Sequence, residues 1–271
     1  MRRLHFIEIH DQDWCPRSLR DALTRVLSFG IFCLRSYKPS ADLLGKAITK
    51  TGDTHVIDLC AGNGGPWNKL LGRVRQRVPE RAAGLSVSFT DKFPNENPPE
   101  LPDGLNYVTE SVDAMDMPKH LNGFRTLFTS FHHFKPKQAE AILADAVNNG
   151  AGIAIFEFTR RHPIALIPYL LVPLFVWLST PFRMPFHWKD WAWTFPIPVL
   201  PLVVFFDGVV SCLRTYSPAQ CLQLAAAADP KSEFDWESGV KWSLPGGMTY
   251  LVGTPKQPAT GGTADHATES D

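Results

Sequence analysis

The chain carries no net charge, few cysteines and none of the commonest nucleotide-binding signatures. Lys and Arg total 27, and so do Asp and Glu, so no long-range field draws the protein toward nucleic acid or an anionic surface. The five cysteines (Cys15, Cys33, Cys60, Cys212, Cys221) are odd in number and form no CxxC pair. That argues against a disulfide framework and a cysteine zinc site, leaves no metal expected, and favours a reducing compartment. Arg2 and Arg3 are not followed by an apolar run, so no secretory signal is expected. No Tyr has a Lys four residues on, which removes a short-chain dehydrogenase, and the one Gly-Lys pair, Gly45-Lys46, is followed by Ala47 rather than a hydroxyl residue, which removes a P-loop. No fixed-period repeat is present.

What the chain does have is strong local asymmetry. Residues 163–182 and 191–206 contain no charged residue. Residues 255–271 lack aromatic and aliphatic side chains other than Ala, cannot bury enough surface to offset chain entropy, and are expected to be a disordered tail. Between these extremes, apolar runs alternate with helical patterns. Helices are expected at about 16–35, 39–50, 66–80, 136–149 and 217–228, the last opened by Ser217 and Pro218. Strands are expected at 55–60, 85–91, 105–110, 124–130, 152–158, about 233–242 and 248–254, the final two joined by a short turn at Leu244–Gly247. Four prolines from Pro94 to Pro102 exclude an ordinary helix after the second strand. This order predicts an α/β fold, a doubly wound and mostly parallel sheet with an antiparallel hairpin at one edge.

The most informative residues are Asp58-Leu59-Cys60-Ala61-Gly62-Asn63-Gly64-Gly65, between the first strand and its helix. Glycine there serves a sharp turn and a close approach of backbone to ligand, although a tight turn alone has the same composition. Asp91 ends the second strand, where a carboxylate can accept from two ribose hydroxyls; otherwise it would cap a helix. Asp113-Ala114 follows the third strand, where a carboxylate can meet an adenine amino group, a role Asp116 could also fill. Together these residues resemble the class I S-adenosylmethionine-dependent methyltransferases, over roughly residues 40–160 and 210–254. In that family an acidic residue ends the first strand before a G-x-G-x-G loop; here the run is D-L-C-A-G-N-G, with Cys60 in place of the first glycine. The resemblance implies seven strands in the order 3-2-1-4-5-7-6 and S-adenosylmethionine as cofactor, held by Asp58, Cys60, Gly62, Asn63, Gly64, Asp91, Asp113, Ala114 and Thr129. The start, HDQDWCPRSLRDAL, is similar to uncharacterised bacterial members and points to no substrate. Asn97-Pro98-Pro99-Glu100 superficially matches the N-P-P-[YF] box of base-modifying enzymes, but follows the wrong strand and lacks the aromatic residue.

Thr129-Ser130-Phe131-His132-His133-Phe134 follows the fourth strand, at the carboxyl edge where ligands of open α/β sheets bind. Methyl transfer to an activated carbon needs positioning and a group to take the acceptor's proton, and imidazole suits the second task. His132 and His133 are therefore the catalytic candidates, with Glu157 to orient substrate or a histidine; the plainer alternatives are a helix cap and a salt bridge from Glu157 to Arg160 or Arg161. The domain plan is an N-terminal helical cap at 1–50, a Rossmann-like domain at 51–254 interrupted by an apolar helical insertion at 160–214, and the tail at 255–271. Because the strands on either side of the insertion share one sheet, it crosses a bilayer twice or not at all. Its prolines and its belt of Trp177, Trp188, Trp191 and Trp193, with Arg160, Arg161, Arg183 and Lys189 at the ends, favour a lid dipping into one leaflet over a spanning hairpin or a buried wall. The expected activity is methyl transfer to a lipophilic small molecule at the cytoplasmic face of a membrane, without nucleic acid as partner. The alternatives are a membrane-docked cofactor-binding protein without catalysis, or an RNA methyltransferase using the cluster Arg73, Arg75, Arg77 and Arg81.

Overall fold

A computed structural model describes residues 1–34, 37–62, 64–95, 100–196, 198–242 and 247–256. Asn63, the centre of the final turn, most of the N-P-P segment and the tail beyond Lys256 lie outside the described residues.

Two helices, α1 (Arg17–Leu34) and α2 (Ser40–Thr51), precede β1 (His55–Leu59), α3 (Trp67–Arg77), β2 (Ser86–Asp91), β3 (Leu105–Ser111), β4 (Phe124–Phe128), α4 (Pro136–Asn148) and β5 (Ile153–Glu157). Four helices, α5 (Pro163–Leu166), α6 (Val172–Ser179), α7 (Trp188–Thr194) and α8 (Val199–Arg214), lie between β5 and α9 (Pro218–Ala228), after which β6 (Phe234–Lys241) and β7 (Met248–Pro255) close the sheet. The strand order is 3-2-1-4-5-7-6. The first five strands are parallel, β7 runs antiparallel to β5, and β6 runs antiparallel to β7.

The central strands are apolar throughout because both faces are covered, as a parallel sheet requires. Val56, Phe89, Phe124 and Phe156 point to the layer of α2 and α3, where Leu44, Ile48, Trp67 and Leu70 meet them. Residues an odd number of positions away in the same strands, Ile57, Leu127, Ile153 and Ile155, point to α4 and α9 and pack on Ile142, Leu143 and Leu224. Ser217 caps α9 by accepting from the Gln220 N–H, while the Gln220 side chain accepts from the Ser217 N–H, with Pro218 in the first turn.

The two N-terminal helices go to different places. α2 joins the sheet core, whereas α1 packs with the insertion: Leu19, Leu23 and Val26 form a separate cluster with Val176 of α6 and Leu200, Val203 and Val204 of α8. The run Pro163–Phe182 is helical but broken by 3-10 turns at Ile167–Leu171 and Thr180–Phe182, each with a proline near its start. It spans 20 residues at a mean hydropathy of 1.8, long and apolar enough to cross a membrane, and 28% of its most apolar window is buried against the protein. Its outer face bears Ile164, Ile167, Leu170, Leu171, Leu174, Leu178 and Phe182, and the chain beyond adds Met184, Phe186, Trp188 and Leu202, all exposed.

Candidate active site

All parallel strands deliver their carboxyl ends to one edge of the sheet, and the sequence candidates gather there. After β1 the chain turns through Cys60 (φ 55), Gly62 (φ 54), Gly64 (φ 98) and Gly65 (φ 49), all left-handed. The two glycines flanking Asn63 serve different ends. A Cβ on Gly64 would stand 2.6 Å from the Phe89 ring, so this residue is small to let the loop pack on β2, while a Cβ on Gly62 would meet nothing within 4 Å, leaving that backbone open to an approaching ligand. Cys60 holds a conformation that costs an L-residue energy, and burial pushes its thiol up to about 12, so it is not a thiolate.

Asp91 ties the loop to β2. One carboxylate oxygen accepts from the Gly62 N–H at 3.0 Å and the other from the Phe93 N–H at 2.9 Å. A carboxylate has about four lone-pair sites, so acceptor capacity remains for two hydroxyls. Asp113 accepts from the Lys92 ammonium at 2.7 Å and the Met115 N–H at 3.0 Å, and those bonds, the Lys92 one foremost, lower its pKa. Ala114 is buried beside it. Asp58 is enclosed, 1% exposed, and accepts from the Thr126 hydroxyl at 2.6 Å. Burial pushes its carboxyl up to about 7 despite that bond. Thr129, just past β4, is left-handed (φ 47), and its hydroxyl shares a hydrogen bond with the buried Tyr37 phenol. Tyr37, Trp67 and Phe128 stack edge-on around that point.

The histidines sit on a short 3-10 turn, Phe131–His133. Glu157, at the end of β5, grips His132 twice: one oxygen accepts from the His132 N–H at 3.2 Å, the other lies 2.7 Å from Nδ1. Arg160 and Arg161 are not its partners among the described contacts. Burial opposes a charge on His132, but Glu157 and Glu8, whose Oε1 lies 3.6 Å from Nε2, outweigh it and raise the pKa to about 9. His133 is different: its side chain is 29% exposed against 1% for His132, and burial and the neighbouring His132 charge lower its pKa. The pair is thus split into an enclosed, carboxylate-held imidazole and an accessible one.

Several contributors were not read from the sequence. The N-terminal segment lies across the histidine turn: Arg3 donates to the His132 and Phe134 carbonyls at 3.1 and 3.0 Å and stacks on Tyr216. Glu8, fully buried, is paired with Arg214 of α8 at 3.0 Å, and His132, His133 and Arg214 hold its carboxyl down near 2 against the effect of burial. The only trace of this in the sequence is the dense charge of residues 8–13 before a helix, and charge density does not specify a partner two hundred residues away. Of the clustered arginines, Arg75 and Arg77 of α3 and Arg81 just beyond it bond to protein groups, Arg75 donating to the Leu85 carbonyl, Arg77 to Asp42 at the surface and Arg81 to the Gly52 carbonyl.

No protein-family model matches the chain, and no curated protein is similar to it in sequence. Among solved structures, it is similar to the plantazolicin methyltransferase BpumL in complex with SAH, at 11% identity and a TM-score of 0.52 over 91% of this chain and 93% of that one. Human N-acetylserotonin methyltransferase in complex with SAM aligns at 13% identity and a TM-score of 0.46, covering 89% of this chain and 57% of that one. A chain from Rhodobacter sphaeroides described as a putative Zn-dependent alcohol dehydrogenase aligns at 13% identity and a TM-score of 0.48, over 89% and 98%. At these identities the likeness is one of fold. The strand order and reversed final hairpin are those of the Rossmann-like methyltransferase fold.

Proposed function

We propose that the protein transfers the methyl group of S-adenosylmethionine to a lipophilic small molecule drawn from the cytoplasmic face of a membrane. The observation that carries the cofactor assignment is the clasp between Asp91 and Gly62, which sets an open glycine backbone beside a carboxylate at the carboxyl edge of this sheet. The cofactor, when bound, supplies a methyl group on a sulfonium. Asp91 and Asp113 would hold its ribose and adenine, with Ala114 at the adenine, Gly62 giving room, Gly64 seating the loop on β2, and Cys60 and Thr129 shaping the turns. Asn63, between the glycines, belongs to the same assignment by its place in the loop.

The chain's own chemistry is then positional. His133, the accessible imidazole, would accept the proton of the acceptor hydroxyl or amine, and His132, gripped by Glu157 and covered by Glu8, would hold the turn that presents it. Support for a lipophilic acceptor comes from the insertion. Fourteen of the twenty-four exposed large apolar side chains among the described residues fall between Ile164 and Phe206. Monomeric soluble proteins rarely leave so much contiguous apolar surface in water. A groove of about 440 Å³ runs between Ile164, Ile167 and Pro168 of this insertion and Val240 and Trp242 of the hairpin, close to where β5 ends. In the proposed arrangement the exposed face beds into one leaflet and the groove admits the acceptor.

The direct test is incubation of the full chain with S-adenosylmethionine labelled on its methyl group and a membrane lipid extract. Label should enter the organic phase with wild-type protein and not with Asp91→Ala. Tight cofactor binding without any label transfer would favour a cofactor-binding protein without catalysis. Flotation with anionic liposomes tests the membrane part separately: Leu171→Asp with Leu178→Asp, both on the exposed face, should abolish it, because each charge in the hydrocarbon costs about 2.5 to 3.5 kcal/mol.

A further inference from the structure

Beside the histidine turn, four side chains converge that the methyl-transfer chemistry does not require together. Glu8, His10 and Asp11 come from the N-terminal segment and His133 from the turn after β4, and one potential ligand atom from each lies within 4.8 Å of all the others. His133 Nε2 is 3.9 Å from Glu8 Oε2, and His10 Nε2 is 3.4 Å from Asp11 Oδ1. Ligands held at about 2.1 Å around a tetrahedral ion stand roughly 3.4 Å apart, so these two pairs are already close to that spacing, and the widest pair of the set would have to close by at most about 1.4 Å.

Two further observations point to a ligand. Glu8 Oε2 is buried without a hydrogen-bond partner, although Oε1 of the same carboxylate is bonded to Ser211 and paired with Arg214. Arg214 and His132 balance the charge of Glu8 at Oε1, but Oε2 on the other side keeps an unmet acceptor site that a cation would fill. His10 is also held as an outer carboxylate holds a metal-binding histidine. Asp207 of α8 accepts from the Ile9 N–H at 2.7 Å and the His10 N–H at 3.1 Å, and its Oδ2 lies 2.8 Å from His10 Nδ1. Nδ1–H donated to that carboxylate leaves the lone pair on Nε2, on the side of Asp11. Arg214 engages Glu8 Oε1 and Asp11 Oδ2, so the opposite oxygens of both carboxylates remain for a ligand.

We propose that Glu8, His10, Asp11 and His133 bind one divalent first-row transition-metal ion, clasping the N-terminal segment to the turn after β4. Two imidazoles with two carboxylates and no thiolate suit zinc, iron, nickel or manganese better than copper(I) or calcium. The site stands on its own ligands and does not depend on methyl transfer; an ion on His133 would occupy the lone pair that otherwise takes the acceptor's proton, so His133 serves one role at a time.

The experiment uses the full chain stripped with chelator and checked for fold by circular dichroism, with Co2+ as the probe because its visible absorption reports coordination. One Co2+ per chain should bind at micromolar concentration or below, displaced by Zn2+ and removed by EDTA. His10→Ala and Asp11→Asn, the second nearly isosteric, should each weaken binding at least tenfold. Asp207→Asn should weaken it by a comparable factor through loss of the Nδ1 partner. Folded wild-type protein that takes up no Co2+ would overturn the proposal and leave the cluster a proton-sharing network. Full binding by both folded variants, His10→Ala and Asp11→Asn, would overturn it equally, by placing the ion elsewhere.

Discussion

Asp58 should make the protein less stable as pH rises through neutrality, and Asp58→Asn should remove that dependence. The carboxyl is all but inaccessible, has the Thr126 hydroxyl as its donor, and burial lifts it from an ordinary 3.8 to about 7. In the unfolded chain it releases its proton near pH 4; in the native protein it keeps it until about pH 7. Between those values the native state binds more protons than the unfolded state, so unfolding free energy falls with increasing pH, and above about 7 both states are ionised and the whole penalty is felt. A shift of about three units corresponds to about 4 kcal/mol, as an order of magnitude. The amide of Asp58→Asn has nearly the same volume and keeps an oxygen for Thr126, but does not ionise. Urea unfolding of both proteins at pH 4.5 and pH 8.5 isolates the effect, because every other group titrates in both. The stability of wild type minus that of the variant should drop by several kcal/mol between the two pH values. A difference that stays constant within about 0.5 kcal/mol would show that Asp58 is ionised throughout and that its burial is compensated in some other way.

Asp91→Ala removes the acceptor that organises the loop and would meet the ribose, and should weaken cofactor binding tenfold or more by calorimetry; unchanged affinity in a folded variant would defeat the assignment. Gly64→Ala combines left-handed strain with a collision against Phe89, and should cost about 2 to 5 kcal/mol in urea unfolding, whereas Gly62→Ala, which points into open space, should cost only the strain of about 1 to 2 kcal/mol; equal costs would refute the division of labour between them. His133→Ala should lower methyl transfer by about 10² with cofactor affinity intact, and full turnover would make His133 structural. Deleting residues 164–206 should disrupt the α1 cluster, so the finer test of membrane attachment is Leu171→Asp with Leu178→Asp, which should keep the fold by circular dichroism and lose liposome flotation; retained flotation would move the contact to another surface.

The alternation of apolar runs, the glycine loop after β1 and the acidic ends of β2 and the chain after β3 were legible because local rules govern them. A strand buried on both faces must be apolar, a left-handed turn selects glycine, and a helix start selects Ser217 with Pro218. These sufficed for the fold and for the line of residues along its carboxyl edge, because parallel strands send their ends to one side whatever surrounds them. The apolar character of 163–206 was equally plain, but which side chains face outward was not: Val176 is fully buried and Leu178, two residues on, is exposed, and that depends on where α1 and α8 press. Tertiary structure alone distinguished the two histidines, enclosing His132 against Glu157 and leaving His133 within reach, since adjacent identical residues differ only in their surroundings. It also brought Glu8 to Arg214 and His10 to Asp207, pairs about two hundred residues apart in the chain. Charge complementarity between such distant groups is settled by the path of the backbone, which no local pattern of residues encodes.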